Sequence, residues 1–230
     1  MDAAWTETRD RLAAYFDRTA FEAWAKLTSD APVSRIRATV RAGRGRMREA
    51  LLAALPADLS GARVLDAGCG VGQLSVEAAR RGAAVLGVDI SDNLLSIARG
   101  NAAEAGVEDV TFTVGDMRDA THGRFDHVVA MDSLIHYRCA EIVDALAALA
   151  PRTSRSIVFT VAPRTPLLSV MHATGKAFPR ADRAPAIVPV SARALARAVA
   201  SRPELAGWRL SVGPRVATGF YISQAMELRR

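Results

Sequence analysis

The run VLDAGCGVGQLS, Val64 to Ser75, constrains this chain more than any other feature. An apolar segment passes into glycines at 68, 70 and 72 and then into a helix-like stretch. Glycines there allow a tight strand-to-helix turn and let a ligand come close to the backbone. The spacing is GxGxG, and the third glycine of a dinucleotide fingerprint would fall where Gln73 stands. No Gly-Lys-Ser/Thr follows, which excludes a Walker A loop. Asp66 precedes the glycines, where a carboxylate suits a cationic ligand better than a pyrophosphate. Asp89 ends the next apolar run, VLGVDIS, a position suited to hydrogen bonding a ribose diol. Asp116, in VGDM, follows the third run and is placed to face an adenine amino group.

Around this loop the chain alternates β-like and helix-like runs. The strand candidates are Arg63–Asp66, Ala84–Val88, Val110–Val114, His127–Met131 and Ile157–Val161, with helical patterns at Gln73–Arg81 and Asn93–Ala105 between them. Parallel neighbours need a crossover, so the alternation predicts βαβ units and a parallel sheet. Trp208–Val212 and Phe220–Leu228 read as a final strand pair at the sheet edge, after a short helix at Ala192–Val199. Residues 1–57 read as an N-terminal helical lid, and residues 58–230 as one α/β domain. In the lid, Trp5, Leu12, Phe16, Trp24 and Leu27 recur at helical intervals. Arg37, Arg41, Arg44 and Arg48 would share one face of a continuous helix, which Gly43 and Gly45 weaken. Residues 163–190, rich in proline and arginine, are long for a simple connection and read as a binding insertion.

Composition narrows the partners. The 230 residues are 50% hydrophobic, enough for a core without staples, and two cysteines exclude a disulfide scaffold. The net charge of +6 points to anionic partners, and arginine supplies nearly all of the positive charge. The N-terminus carries charges where a signal peptide needs an apolar core, and no segment is long enough to span a bilayer. The expected location is therefore the cytoplasm. No clustered spacing of histidines and carboxylates predicts a protein-bound metal.

From about residue 45 onward the chain resembles the class I S-adenosylmethionine-dependent methyltransferases. That resemblance implies a Rossmann-like α/β fold, with a mostly parallel seven-stranded sheet and helices on both faces. It also implies S-adenosylmethionine as methyl donor. Gly68, Gly70 and Gly72 would pack on its methionine part, and Asp66 would support the loop and the ammonium end. Asp89 would take the ribose hydroxyls, Asp116 the adenine, and Ile90 and Met117 would flank the ring. The runs YFDRTAFEAWAKL (15–27), APVSRIRATVRAGRGRM (31–47), MDSLIHY (131–137), APRTPLLSVMHATGKAFPR (162–180) and GFYISQAMEL (219–228) are similar to the magnesium protoporphyrin IX O-methyltransferases of phototrophs. Membership there implies methyl transfer to one propionate of Mg-protoporphyrin IX, with the magnesium carried by the substrate. It also implies a hand-off from the porphyrin-binding subunit of magnesium chelatase. Peripheral contact with the photosynthetic membrane fits the basic, aromatic-bearing chain and an amphipathic substrate.

Candidate acceptor-side residues follow. His136 lies just past the fourth strand, where ligands bind in open α/β folds, and the resemblance implies that it steers the reacting carboxylate. Tyr15 is a lid residue that the resemblance places over the reaction zone, and Tyr137 is a second polar contact. Asp132 is expected to cap the following helix. Arg35, Arg37, Arg41 and Arg44 are candidates for clamping a propionate or the donor's carboxylate. Arg164, His172 and Arg180 lie in the insertion, with His172 a candidate axial ligand to the porphyrin magnesium. Three readings stay open: the same donor with another small acceptor such as a quinone precursor, a non-catalytic porphyrin carrier, and a nucleic-acid-associated protein. DNA amino-methyltransferases carry an Asn/Asp-Pro-Pro-aromatic run after strand four, and the MDSLIHYR found here argues against amino methylation of bases, while the glycine loop with Asp89 argues against a pure carrier.

Overall fold

The computed structural model describes residues 3–18, 35–164 and 186–230. His172, Arg180, Phe21, Trp24 and most of the 163–190 insertion lie outside them. Among the described residues, helices α1 (Ala3–Arg18) and α2 (Arg35–Ala53) precede the alternating unit. There β1 (Arg63–Ala67), α3 (Gln73–Arg80), β2 (Ala84–Asp89), α4 (Asp92–Glu104), β3 (Val110–Val114) and β4 (Phe125–Ala130) follow in turn. The chain continues through α5 (Cys139–Leu149), β5 (Thr153–Val161), α6 (Ala192–Ala200), β6 (Arg209–Thr218) and β7 (Tyr221–Arg229).

The seven strands among the described residues join one sheet in the order β3-β2-β1-β4-β5-β7-β6. The first five are parallel, and β7 enters antiparallel between β5 and β6. Alternation along the central strands loads both faces. Leu65, Val128, Ala130, Ile157 and Phe159 pack with Ile142 and Leu146 of α5 and Leu195 of α6. Val64, Val129 and Val158 face the other way, onto Met47 and Leu51 of α2 and Leu74 of α3. A sheet covered on both faces needs near-continuous apolar strands, which is why these runs read as strands at all.

The expected elements form with shifted ends: β4 begins at Phe125, β5 at Thr153, and β6 runs to Thr218. α2 is continuous through Gly43 and Gly45. A Cβ on Gly43 would lie 2.5 Å from Cδ1 of Tyr221, so this glycine is what lets α2 close onto β7. The strand order reverses between β1 and β4, and the carboxyl ends of these two neighbours open the crevice where ligands bind in such sheets.

Candidate active site

A cavity of about 360 Å³ fills that crevice. Its floor is the turn after β1. Gly68 (φ 78°), Gly70 (φ 55°) and Gly72 (φ 74°) all take the left-handed backbone that favours glycine. At Gly68 a side chain is excluded twice over, since a Cβ would meet that of Ser133 at 2.3 Å. Asp89, at the end of β2, accepts the Gly70 N–H at 2.8 Å and the Ser91 N–H at 3.0 Å. Its carboxylate therefore ties the glycine turn to β2, and burial raises its pKa. Asp66 is fully buried beneath the turn. Burial pushes its pKa to about 7, against the 2.6 Å hydrogen bond donated by the Ser75 hydroxyl and with the Asp89 charge adding to the rise.

Asp116, Ile90 and Met117 line the same cavity. Burial works against the Asp116 charge, yet the Arg118 backbone N–H (2.9 Å) and guanidinium, with the Trp5 indole, hold its pKa below the usual carboxylate range. Arg48 of α2 also reaches the cavity and donates to Gln73 Oε1 at 2.8 Å, beside the glycine turn. These groups present carboxylates to hydroxyl, amino and cationic groups, and an arginine to a carboxylate. That set fits a nucleoside joined to an amino acid.

The opposite half is walled by Val40, Met131, His136, Ile187, Phe220 and Tyr221, with Tyr15 and Phe16 from α1. His136 lies in a short turn, Leu134–His136, just past β4. Its Nδ1 faces the Ala186 carbonyl at 3.3 Å. A carbonyl only accepts, so Nδ1 carries the proton in this contact and Nε2 is left as an acceptor. Burial lowers the imidazole pKa, keeping the ring neutral. His136 also lines a second cavity of about 300 Å³, together with Glu7, Arg11, Arg138 and Glu141. Tyr15 stands in the wall, its phenol raised in pKa by burial.

Asp132 does not cap a helix. The following turn has no side-chain cap, and Asp132 adopts φ 55°. Its carboxylate takes Arg44 Nη1 at 2.6 Å and the Tyr221 hydroxyl at 3.0 Å, while its N–H donates to Thr160 Oγ1 at 2.8 Å. A buried carboxylate needs that company, and the arginine of α2 supplies the charge.

Other candidates fall elsewhere. Arg35 and Arg37 are exposed on the first turn of α2 and, among the described residues, do not line the cavity; Arg44 and Arg48 on the same helix do. The arginine stripe therefore delivers its later members, because α2 descends toward the glycine turn. Arg164 is exposed, its N–H donating to the Val190 carbonyl, and also lies outside the cavity lining. Tyr137 reaches the cavity but is buried and stacked on Trp5, with ring centroids 4.1 Å apart. Sequence reasoning missed Trp5 and Arg48 as site members, and named Arg44 and Asp132 separately without their pairing. Their partners lie 111, 25 and 88 positions away. Only the arginine spacing carried a signal for any of them.

Among the described residues no group of three or more histidine, cysteine or carboxylate side chains stands together to hold a metal. A family model described as magnesium-protoporphyrin IX methyltransferase C-terminus matches residues 130–230, and a methyltransferase-domain model matches residues 64–154. Magnesium-protoporphyrin O-methyltransferase of Rhodobacter capsulatus is 49% identical over 230 residues, 100% of each chain. The enzyme of that name from a Synechocystis strain is 36% identical over 169 residues, 72% of this chain and 73% of its own. The crystal structure of magnesium protoporphyrin IX methyltransferase from Synechocystis PCC 6803 with bound SAH superposes with a TM-score of 0.82 at 30% identity, covering 98% of this chain and 99% of that one.

Proposed function

The chain belongs to the magnesium-protoporphyrin O-methyltransferase family, and from that premise we infer that it transfers a methyl group from S-adenosylmethionine to a propionate carboxylate of Mg-protoporphyrin IX. The products are the monomethyl ester and S-adenosylhomocysteine, a step of (bacterio)chlorophyll synthesis. Identity over the full length of the Rhodobacter relative carries this reading, because it spans the acceptor half of the cavity as well as the shared donor motifs.

When bound, S-adenosylmethionine supplies an electrophilic methyl on a sulfonium. The chain's own residues bind, orient and shield. Asp89 accepts the ribose hydroxyls on lone pairs left beside its two backbone bonds. Asp116 accepts from the adenine amino group, and Ile90 and Met117 cover the ring. Arg48 faces the donor's carboxylate, and Asp66 sits under its cationic end.

A propionate is ionised in water near neutrality, since free carboxyls titrate at about 4. Entry into an apolar chamber raises that value. Neutral His136, with Nε2 as acceptor, takes the proton that burial would otherwise leave on the nucleophile. The second cavity, which His136 shares with Glu7 and Glu141, would take that proton on. Tyr15 donates to the acceptor carboxyl, and Phe16 and Ile187 help exclude water. Orientation at an approach distance of about 3–3.5 Å then does most of the work. Arg44, held by Asp132, is a cavity arginine available to the second propionate. Hand-off from the porphyrin-binding subunit of magnesium chelatase, a cytoplasmic location and peripheral contact with the photosynthetic membrane complete the reading. The exposed arginines, together with Ile36 and Phe220, support the membrane contact.

Labelled S-adenosylmethionine, offered with Mg-protoporphyrin IX and with metal-free protoporphyrin IX, tests the assignment. Monoester from the magnesium form is the expected result. Donor binding without transfer to either porphyrin would move the acceptor to another small molecule.

A further inference from the structure

The N-terminal helix places more than a cover over this site. Trp5 of α1 is only 1% exposed, although it lies three residues into the described chain. Its indole N–H donates to Asp116 Oδ2 at 2.8 Å, while Asp116 Oδ1 accepts the Arg118 N–H. The indole ring is sandwiched, with Tyr137 at 4.1 Å and the Arg118 guanidinium 4.0 Å from its centroid. At the other end of α1, Asp17 accepts from the Ser91 hydroxyl at 2.5 Å, two residues beyond Asp89. The Asn93 amide adds a bond to the Asp17 carbonyl at 3.2 Å. Trp5 and Asp17 lie twelve helical positions apart, a span of about 18 Å. One helix is thus pinned beside the carboxylate facing the adenine and beside the carboxylate facing the ribose. Between the pins, Arg9, Leu12, Tyr15 and Phe16 line the cavity.

We propose that Trp5 is a positioning residue of the donor site: its indole N–H orients the Asp116 carboxylate for the adenine, so that docking of α1 and binding of the donor are one coupled step. Both ring faces of Trp5 are taken, so it acts through Asp116 and Arg118 and not by stacking on the adenine. A ligand that uses the docked arrangement shifts the helix toward it, and the docked helix tightens the ligand by the same factor. The inference rests on the donor reading above and is independent of the acceptor.

The test uses the full chain and S-adenosylhomocysteine as probe. Trp5→Phe keeps an aromatic ring between Tyr137 and Arg118 but removes the N–H. Calorimetric titration should show about tenfold weaker binding, the scale of one lost hydrogen bond to a charged group. Trp208→Phe, beside Arg230 at the far end of the sheet, should bind as the parent does. In the unsubstituted chain, the ligand should slow amide hydrogen exchange across Ala3–Arg18. Unchanged affinity in Trp5→Phe would reduce Trp5 to a packing residue and overturn the proposal. Helix exchange indifferent to the ligand would overturn it without relying on any variant. If the parent binds S-adenosylhomocysteine yet fails to methylate Mg-protoporphyrin IX, the acceptor assignment fails and the Trp5 assignment stands.

Discussion

Asp66 is buried and His136 half-buried, the surroundings set the charge state of each, and each gives a pH-dependent consequence. Asp66 has a pKa near 7 in the folded chain, against about 3.9 for an unfolded aspartate. The folded state therefore holds a proton that the unfolded state has lost between these values. Stability contributed by this group is full below about pH 4, declines as pH rises toward 7, and is level above. S-adenosylmethionine carries net positive charge and favours the ionised carboxylate. Its affinity should rise from pH 5.5 to about 7 and then flatten, with proton release seen by calorimetry in buffers of different ionisation heat. Asp66→Asn should flatten both the binding and the stability profiles, and a variant that keeps the parent slope would exclude Asp66 as the titrating group. For His136, burial lowers the pKa, so activity should fall on the acid side only below the ordinary imidazole value of about 6.5. His136→Ala should lower kcat by about 10²-fold or more, as for other positioned acid–base groups. Affinity for S-adenosylhomocysteine should hardly change, and an equal loss of it would refute the acceptor-side role. The histidine itself was legible in the sequence from its place after the fourth apolar run. Its tautomer was not, because the Ala186 carbonyl that fixes it lies 50 residues away.

At the scale of elements, α2 shows where local rules mislead. Two glycines in a helix argue for a weak or broken one, yet α2 is continuous and forms one wall of the cavity. The two positions differ. A Cβ on Gly43 would press into Tyr221, whose hydroxyl is fixed by Asp132, whereas a Cβ on Gly45 would meet nothing within 4 Å. Gly45→Ala should therefore stabilise the fold by about 0.5–1 kcal/mol through helix propensity. Gly43→Ala should destabilise it by about 1–3 kcal/mol, because overpacking against a pinned ring outweighs that gain. Paired denaturant titrations check the contrast, and equal effects would mean that α2 does not pack on β7 as described. The sheet was readable because its strands are apolar on both faces and punctuated by glycine and aspartate. The helix α5 has a weaker sequence signature, because Ile142, Val143, Ala145, Leu146 and Ala147 are all buried and the polar stripe that would mark its period is thin. The Asp132 cluster was invisible for another reason. It draws on α2, β5 and β7 at once, and no local spacing encodes such a meeting.

For the molecule as a whole, charge and the position of the cavity mouth belong together. Among the described residues no helix is long and apolar enough to cross a membrane. Ile36 is 55% exposed on the first turn of α2, flanked by exposed Arg35 and Arg37, and Phe220 is 63% exposed at the β6–β7 turn. Phe220 and the exposed Ile187 also line the catalytic cavity, so the apolar rim and the opening coincide. On the proposed membrane contact, this rim would face the bilayer and an amphipathic porphyrin would enter the cavity from its surface. Each arginine near an anionic surface contributes about 1 kcal/mol, and apolar side chains entering the interface add to it. The full chain should cosediment with vesicles containing phosphatidylglycerol at low salt and largely detach at about 0.5 M salt, where the Debye length is only a few ångströms. Neutral phosphatidylcholine vesicles should retain much less of it. Phe220→Ser combined with Ile36→Ser should weaken retention on the anionic vesicles at unchanged net charge, separating insertion of the rim from attraction alone. Retention that is equal on neutral and anionic lipid, or indifferent to salt, would exclude the basic rim as the contact surface and leave delivery of the porphyrin to a protein partner.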